Sequence, residues 1–313
     1  MFLVRCVGVS LAVFVLLYGL SSLAVAYVWR FVRRVFGQLS AQREADLLFV
    51  LRMLPAILAI AITLAYTVPS FLLLEPEKTD EKIGPPLLLL GLCSLMLLGA
   101  GMVRGALAQF KTSRVLSAWL SGATLMKAGA VPILRTGKNA PCLTVAGVCA
   151  PRVLVSETAV GILSVQELRT ALQHEMAHVR RYDNLKKLLF RFSAFPGMSR
   201  LESAWSEAAE MAADDAAVAS FSDALDLAAA LIKLSRFAPL QAPAVLGSAL
   251  LPASTGSLST RVERLFAWKN DLSRRSYRWW QAAPAVAATL LGVVLTYSAA
   301  LSSMHEVTEW IVR

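Results

Sequence analysis

The stretch LRTALQHEMAHVRRYDNL, residues 168 to 185, holds two of the three histidines in a chain of 313 residues. His174 and His178 stand four positions apart, and Glu175 directly follows the first. Upstream, Ser164 and Glu167 have the S-x-x-E spacing of a capping box, which opens a helix by satisfying its first free N–H groups. A helix is expected to start there and to run on through LRTALQHEMAHVRRYDNLKKLLFRF. Four residues of helix give roughly 6 Å of rise and roughly 40° of rotation, so both imidazoles project the same way. Two imidazole nitrogens so placed can share one Zn²⁺. Glu175 lies about 100° further round the helix. There it can approach the metal's water without being a ligand, the place of a general base.

A catalytic zinc takes three protein ligands and keeps one position open. No third histidine is near, and HVRRYDN lacks the Gly and His of the metzincin extension. His305 falls at the far end of the last apolar run and reads as an interfacial residue. A carboxylate is the better third ligand. The next acidic helix, SRLESAWSEAAEMAADDAAV over residues 199 to 218, carries Glu207, Glu210 and Asp214 along one face. A second S-x-x-E pair, Ser199 and Glu202, is expected to open it. Spacing alone does not choose between Glu207 and Glu210.

Around this segment the chain is 57% hydrophobic, with a mean hydropathy of +0.59, which points to membrane spans. Four uncharged runs, 6–29, 53–74, 83–103 and 279–304, each reach the ~20 residues that cross a bilayer as helix. Arg30, Arg33, Arg34 and Arg43 follow the first run, and the acidic loop EPEKTDEK follows the second. Arg104, Lys111 and Arg114 follow the third, and Arg274, Arg275 and Arg278 precede the fourth. The excess of Lys and Arg on one set of loops places residues 30–52 and 104–278 in the cytoplasm and both termini outside. A cleavable signal peptide ending in LAVA, residues 23 to 26, is the competing reading. It would require the basic RFVRR to cross the membrane.

Trp279 and Trp280 fit an interfacial aromatic belt. Gly101 and Gly105 in GMVRG have the small-xxx-small spacing of packed helices, a spacing more often incidental than a true dimer face. The net charge of +10 sits beside apolar runs rather than in a nucleic-acid motif, so direct nucleic-acid binding is set aside. Residues 142 to 156, CLTVAGVCAPRVLVS, read as a β-hairpin. Its Cys142 and Cys149 are too far apart for a CxxC knuckle and are expected as reduced thiols on the cytoplasmic side. The expected fold is mainly α: a polytopic membrane protein with four transmembrane helices. A cytoplasmic α+β domain over residues 108–276 is inserted between the third and the fourth.

LQHEMAHVRRYDNLKKLL together with EAAEMAADDAAV resembles the BlaR/MecR-type integral-membrane zinc metallopeptidases, a gluzincin family. The resemblance covers most of the chain. It implies zinc as the cofactor and peptide-bond hydrolysis as the reaction. It also implies Glu210 as the third ligand, because the family's metal-binding Glu precedes an Asp by four positions. Asp214 would then orient a ligand histidine. SLSTRVERL resembles the family's closing Ser/Arg segment and would bring Arg261 near the site. The hairpin would supply an edge strand, at Val145, Ala146 and Gly147, for an extended substrate peptide. The implied partner is a cytoplasmic regulatory protein, of the transcriptional-repressor kind, and the implied location is a bacterial-type inner membrane.

The sensor members carry a penicillin-binding-like domain after the fourth span. Here only HEVTEWIVR follows, so covalent sensing of a β-lactam is not expected. Two alternatives stand beside this reading. One is an HtpX-like quality-control protease, which shares HExxH and E-x-x-x-D. The other is a membrane adaptor with a structural zinc site, which would have no use for Glu175.

Overall fold

The computed structural model describes residues 2–32, 39–74, 84–127, 131–137, 140–193, 195–236, 248–249, 255–268 and 296–308. The chain divides into two compact units. The first comprises Met1–Arg30, Met53–Ala100 and Asp271–Arg313; the second comprises Phe31–Arg52 and Gly101–Asn270.

The apolar runs form long helices. These are α1 (Phe2–Val32), α2 (Ala41–Ile62), a π-helical turn (Thr63–Thr67), α3 (Val68–Leu74) and α4 (Pro85–Leu120). Among the described residues, three continuous stretches, Phe2–Trp29, Ala41–Leu74 and Pro85–Leu120, are long and apolar enough to cross a membrane. In the first unit Val9, Ala12 and Val13 of α1, Phe71 of α3 and Leu87 of α4 form a buried cluster.

The helices outrun the expected spans 53–74 and 83–103. Hydropathy marks the length suited to lipid, whereas Ala41–Arg52 and Arg104–Leu120 are rich in residues that favour helix without being apolar. The expected fourth span, 279–304, lies outside the described residues as far as 295, and 296–308 is helical.

The second unit is built on a five-stranded mixed sheet in the order β1-β2-β4-β3-β5. Its strands are β1 (Thr124–Lys127), β2 (Ile133–Thr136), β3 (Leu143–Ala146), β4 (Arg152–Ser156) and β5 (Ser248–Ala249). β3 and β4 make the expected antiparallel hairpin, with Leu143 opposite Val155 and Ala146 opposite Arg152. Gly147 leaves β3 at φ +97°, where a Cβ would press on the Ala150 carbonyl oxygen. Only glycine fits that turn.

β3 is not the free edge expected at Val145. β5 pairs with it there, Val145 opposite Ser248 and Thr144 opposite Ala249. A hairpin pattern reports only the local partner of a strand. The second partner comes from a hundred residues downstream, and no local signal announces it.

Among the described residues the unit also holds α5 (Glu157–Ile162), α6 (Val165–Arg180), α7 (Asp183–Phe192), α8 (Ser199–Ala217), α9 (Phe221–Ser235) and α10 (Thr255–Phe266). The core joins Val145, Val153 and Val155 of the sheet to Ala171 of α6 and Leu227, Leu231 and Leu234 of α9. α6 also packs on α8, where buried Ala209, Ala212 and Ala213 let the two helices approach closely.

α6 opens with the expected capping box: Ser164 Oγ accepts from the Glu167 N–H, and a Glu167 oxygen accepts from the Ser164 N–H. The single helix expected through LRTALQHEMAHVRRYDNLKKLLFRF is broken. Tyr182 takes the left-handed conformation at φ 55°, ends α6 and starts α7 in a new direction. The expected cap of α8 is absent as well. Glu202 instead turns to Arg52, accepting from Nε at 3.0 Å and from a terminal guanidinium nitrogen at 2.8 Å. Arg52 is itself buried and also donates to the carbonyls of Phe190 and Ser193. The spacing of Gly101 and Gly105 is not incidental: both glycines pack against Phe192. A Cβ at either would overlap Phe192 at the end of α7.

Candidate metal centre

α6 presents His174 and His178 on one face, as their spacing requires, and α8 brings Glu210 to meet them. The two Nε2 atoms are 3.2 Å apart. His174 Nε2 lies 3.5 Å from Glu210 Oε2, and His178 Nε2 lies 3.6 Å from Glu210 Oε1. All three residues are buried. Ligand atoms bound at roughly 2.0–2.2 Å around a tetrahedral ion stand roughly 3.3–3.6 Å from one another. The observed separations match that spacing, so His174, His178 and Glu210 form a group that could hold one metal ion.

The outer nitrogens of both imidazoles are also held. His178 Nδ1 is 2.7 Å from Asp183 Oδ2, and His174 Nδ1 is 3.0 Å from Asp214 Oδ1. Carboxylates only accept, so Asp183 assigns the proton of His178 to Nδ1 and leaves its Nε2 with the lone pair facing inward, while Asp214 stands at ion-pair distance from His174 Nδ1. Two lone pairs and a carboxylate that converge in this way repel unless a cation lies among them. Without a metal, the group draws a proton. Burial opposes charge on His178, yet Glu210 and Asp183 outweigh it and push the imidazole up to about 10. His174 is shifted the same way, burial being outweighed by Asp214 and Glu210.

Arg261 closes the back of the site from α10. Its guanidinium grips Asp214 with two bonds, Nε to Oδ2 at 2.8 Å and a terminal nitrogen to Oδ1 at 2.6 Å. The other terminal nitrogen lies 3.2 Å from Glu210 Oε2. Burial alone would raise both carboxyls. Arg261 and the imidazoles instead hold Asp214 below, and Glu210 well below, the ordinary carboxylate range. One turn further along α10, a single terminal nitrogen of Arg264 donates to both carboxylate oxygens of Asp215, each at 2.7 Å. The consecutive Asp214 and Asp215 thus receive two arginines spaced three residues apart on one helix face.

Glu175 differs from every other acid here. It is completely buried, and neither carboxylate oxygen has a hydrogen-bond partner among the described residues. Burial pushes its carboxyl up; the His178 and His174 charges oppose the shift and Glu210 adds to it. A buried carboxylate without a donor is costly.

The structure therefore brings together His174, Glu175, His178, Glu210, Asp214 and Arg261. Glu207 is exposed on α8 and stands outside the group. His305 belongs to the first unit. The carbonyls of Val145 and Gly147 are engaged by Asn184, whose Nδ2 donates to both at 3.3 and 3.0 Å. Asp183 and Asn184, the first residues of α7, were not anticipated as site residues. The sequence signal is their place five and six positions after His178, reachable only once the helix breaks between. Cys142 and Cys149 are both free thiols.

No protein-family model matches the chain, and no curated protein matches it.

Proposed function

We propose that this chain is a membrane-bound zinc endopeptidase of the BlaR/MecR type. In this reading four spans hold a cytoplasmic catalytic domain between the third and the fourth. The observation that carries the reading is the pairing of a three-residue metal group with a buried, partnerless Glu175 on the same helix. A group of this composition, two imidazoles and one carboxylate, suits zinc in a catalytic site.

Zinc, when bound by His174, His178 and Glu210, supplies Lewis-acid polarisation of the scissile carbonyl and a water acidified toward ~7. Glu175 removes one proton from the attacking water as the new C–O bond forms. It returns that proton to the leaving nitrogen as the C–N bond breaks. Its raised pKa suits both halves of this exchange, since a base of ordinary carboxylate strength parts with the proton too readily to capture it. Asp183 holds the His178 imidazole in one tautomer, Asp214 sets its charge beside His174, and Arg261 holds Asp214 and Glu210 in place.

The substrate class is a cytoplasmic protein cut at one site, by analogy with repressor-cleaving relatives of that type. Complete burial of His174 and Glu175 favours one rival, a closed structural metal site in a membrane adaptor. Glu175 decides between them. Replacing Glu175 with Gln keeps volume and metal group intact. The cytoplasmic proteome of cells expressing wild type should contain one new cleavage that the Glu175→Gln strain lacks, with zinc bound in both proteins. A loss of roughly 10²–10⁴ in rate is expected. Identical proteomes would support the adaptor, and many scattered cuts would support a quality-control protease.

A further inference from the structure

A cavity in the second unit shares no residue with the metal group. Its volume is about 520 Å³, and it lies between α4, the end of α7 and the turn that leads into α8. Arg104 and Lys111 of α4 and Arg191 of α7 line it. None of the three has an ion pair or hydrogen bond among the described residues. Glu202 is the acid in its wall, and Arg52 neutralises that carboxylate through contacts at 2.8 and 3.0 Å. The cavity is therefore positive on balance, with Leu107 and Phe195 giving it apolar flanks.

We infer that this cavity binds a phosphate-bearing anion, with an anionic lipid headgroup as the favoured source. Three cations around one concavity, with the nearby acid already satisfied, match the charge and hydrogen-bond demand of a phosphate. Arg104 and Lys111 are seven residues apart, which puts them on one helix face two turns apart with Leu107 and Ala108 between. The lipid source follows from position along the chain. The apolar run of α4 ends at Val103, so the first cation is the next residue and the cavity begins where the helix leaves hydrocarbon. The phosphate would grip α4 beside Gly101 and Gly105, the two residues on which Phe192 already rests. This inference stands apart from the proteolytic reading and survives its failure.

The test uses the full chain in phosphatidylcholine nanodiscs doped with phosphatidylglycerol. Lipid retained by the purified protein is quantified by mass spectrometry. Arg104→Gln/Lys111→Gln/Arg191→Gln is compared with Arg114→Gln/Arg200→Gln, which removes cations outside the cavity. Circular dichroism confirms folding of both. Wild type should enrich phosphatidylglycerol, and the cavity variant should lose roughly fivefold of that enrichment per cation removed, while the outside variant keeps it. Inorganic phosphate should compete for the site. Binding of inorganic phosphate without lipid enrichment, lost in the cavity variant, also supports the inference and assigns a free anion as the source. Equal enrichment by wild type and both variants, with no phosphate binding, overturns it.

Discussion

Asp183 shows how much of this site depends on single residues that touch no substrate. It fixes Nδ1 of His178 at 2.7 Å, and so decides which nitrogen faces the metal group. An Asp183→Asn protein keeps the side-chain shape but offers either a donor or an acceptor to Nδ1, and half of that choice disfavours the ligand tautomer. Zinc affinity should fall roughly 10- to 100-fold, measured by competition with a chelator of known affinity; unchanged affinity would remove Asp183 from the account. His174, Glu175 and His178 were legible from spacing alone, because helical periodicity fixes direction without any tertiary knowledge. Glu210 was not. Glu207 precedes it by three residues on the same side of α8, and only the close packing of alanines against α6 tells the buried acid from the exposed one. Asp183 was hidden for another reason. Its contact needs the left-handed turn at Tyr182, and tyrosine carries none of the preference for positive φ by which Gly or Asn would have marked the break.

At the scale of the helix, the start of α6 sets the height at which both imidazoles stand. Glu167 serves this start twice, capping the Ser164 N–H at 2.8 Å and accepting from Lys233 of α9, whose Nζ lies 2.8 Å from both oxygens. Burial raises the Glu167 carboxyl, but Lys233 and Ser164 outweigh it and leave it below its ordinary value. A carboxyl lowered by folding stabilises above the pKa of the unfolded chain, and that stability is lost as pH falls through the folded pKa. Wild type should therefore melt above Glu167→Gln at pH 7, with the gap closing as the buffer is taken below the ordinary carboxylate range. A gap that stays constant would mean that charge plays no part in the cap. This box was readable from four residues, since both partners are local. The similar Ser199 and Glu202 pair misled because a buried arginine from another helix offers Glu202 two charge-assisted bonds, stronger than a single cap contact.

For the whole molecule, hydropathy found the three membrane-length helices of the described residues but drew their bounds too narrowly, because polar residues end an apolar window without ending a helix. The fifth strand of the sheet was invisible for the converse reason: its pairing with β3 is long-range and only two residues long. Orientation remains a proposal that one residue can test. Cys149 is exposed in the hairpin loop of the second unit. In a variant retaining only this cysteine, a membrane-impermeant maleimide should label Cys149 in permeabilised cells and leave it untouched in intact spheroplasts; labelling of intact spheroplasts would reverse the topology. The central claim, that His174, His178 and Glu210 hold one divalent ion, is tested most directly by the metal content of the purified full chain. One zinc per chain is predicted for wild type, Glu175→Gln and Glu207→Ala, and loss of it for Glu210→Ala. A wild-type protein without stoichiometric metal, or a Glu210→Ala protein that retains it in full, would contradict the account.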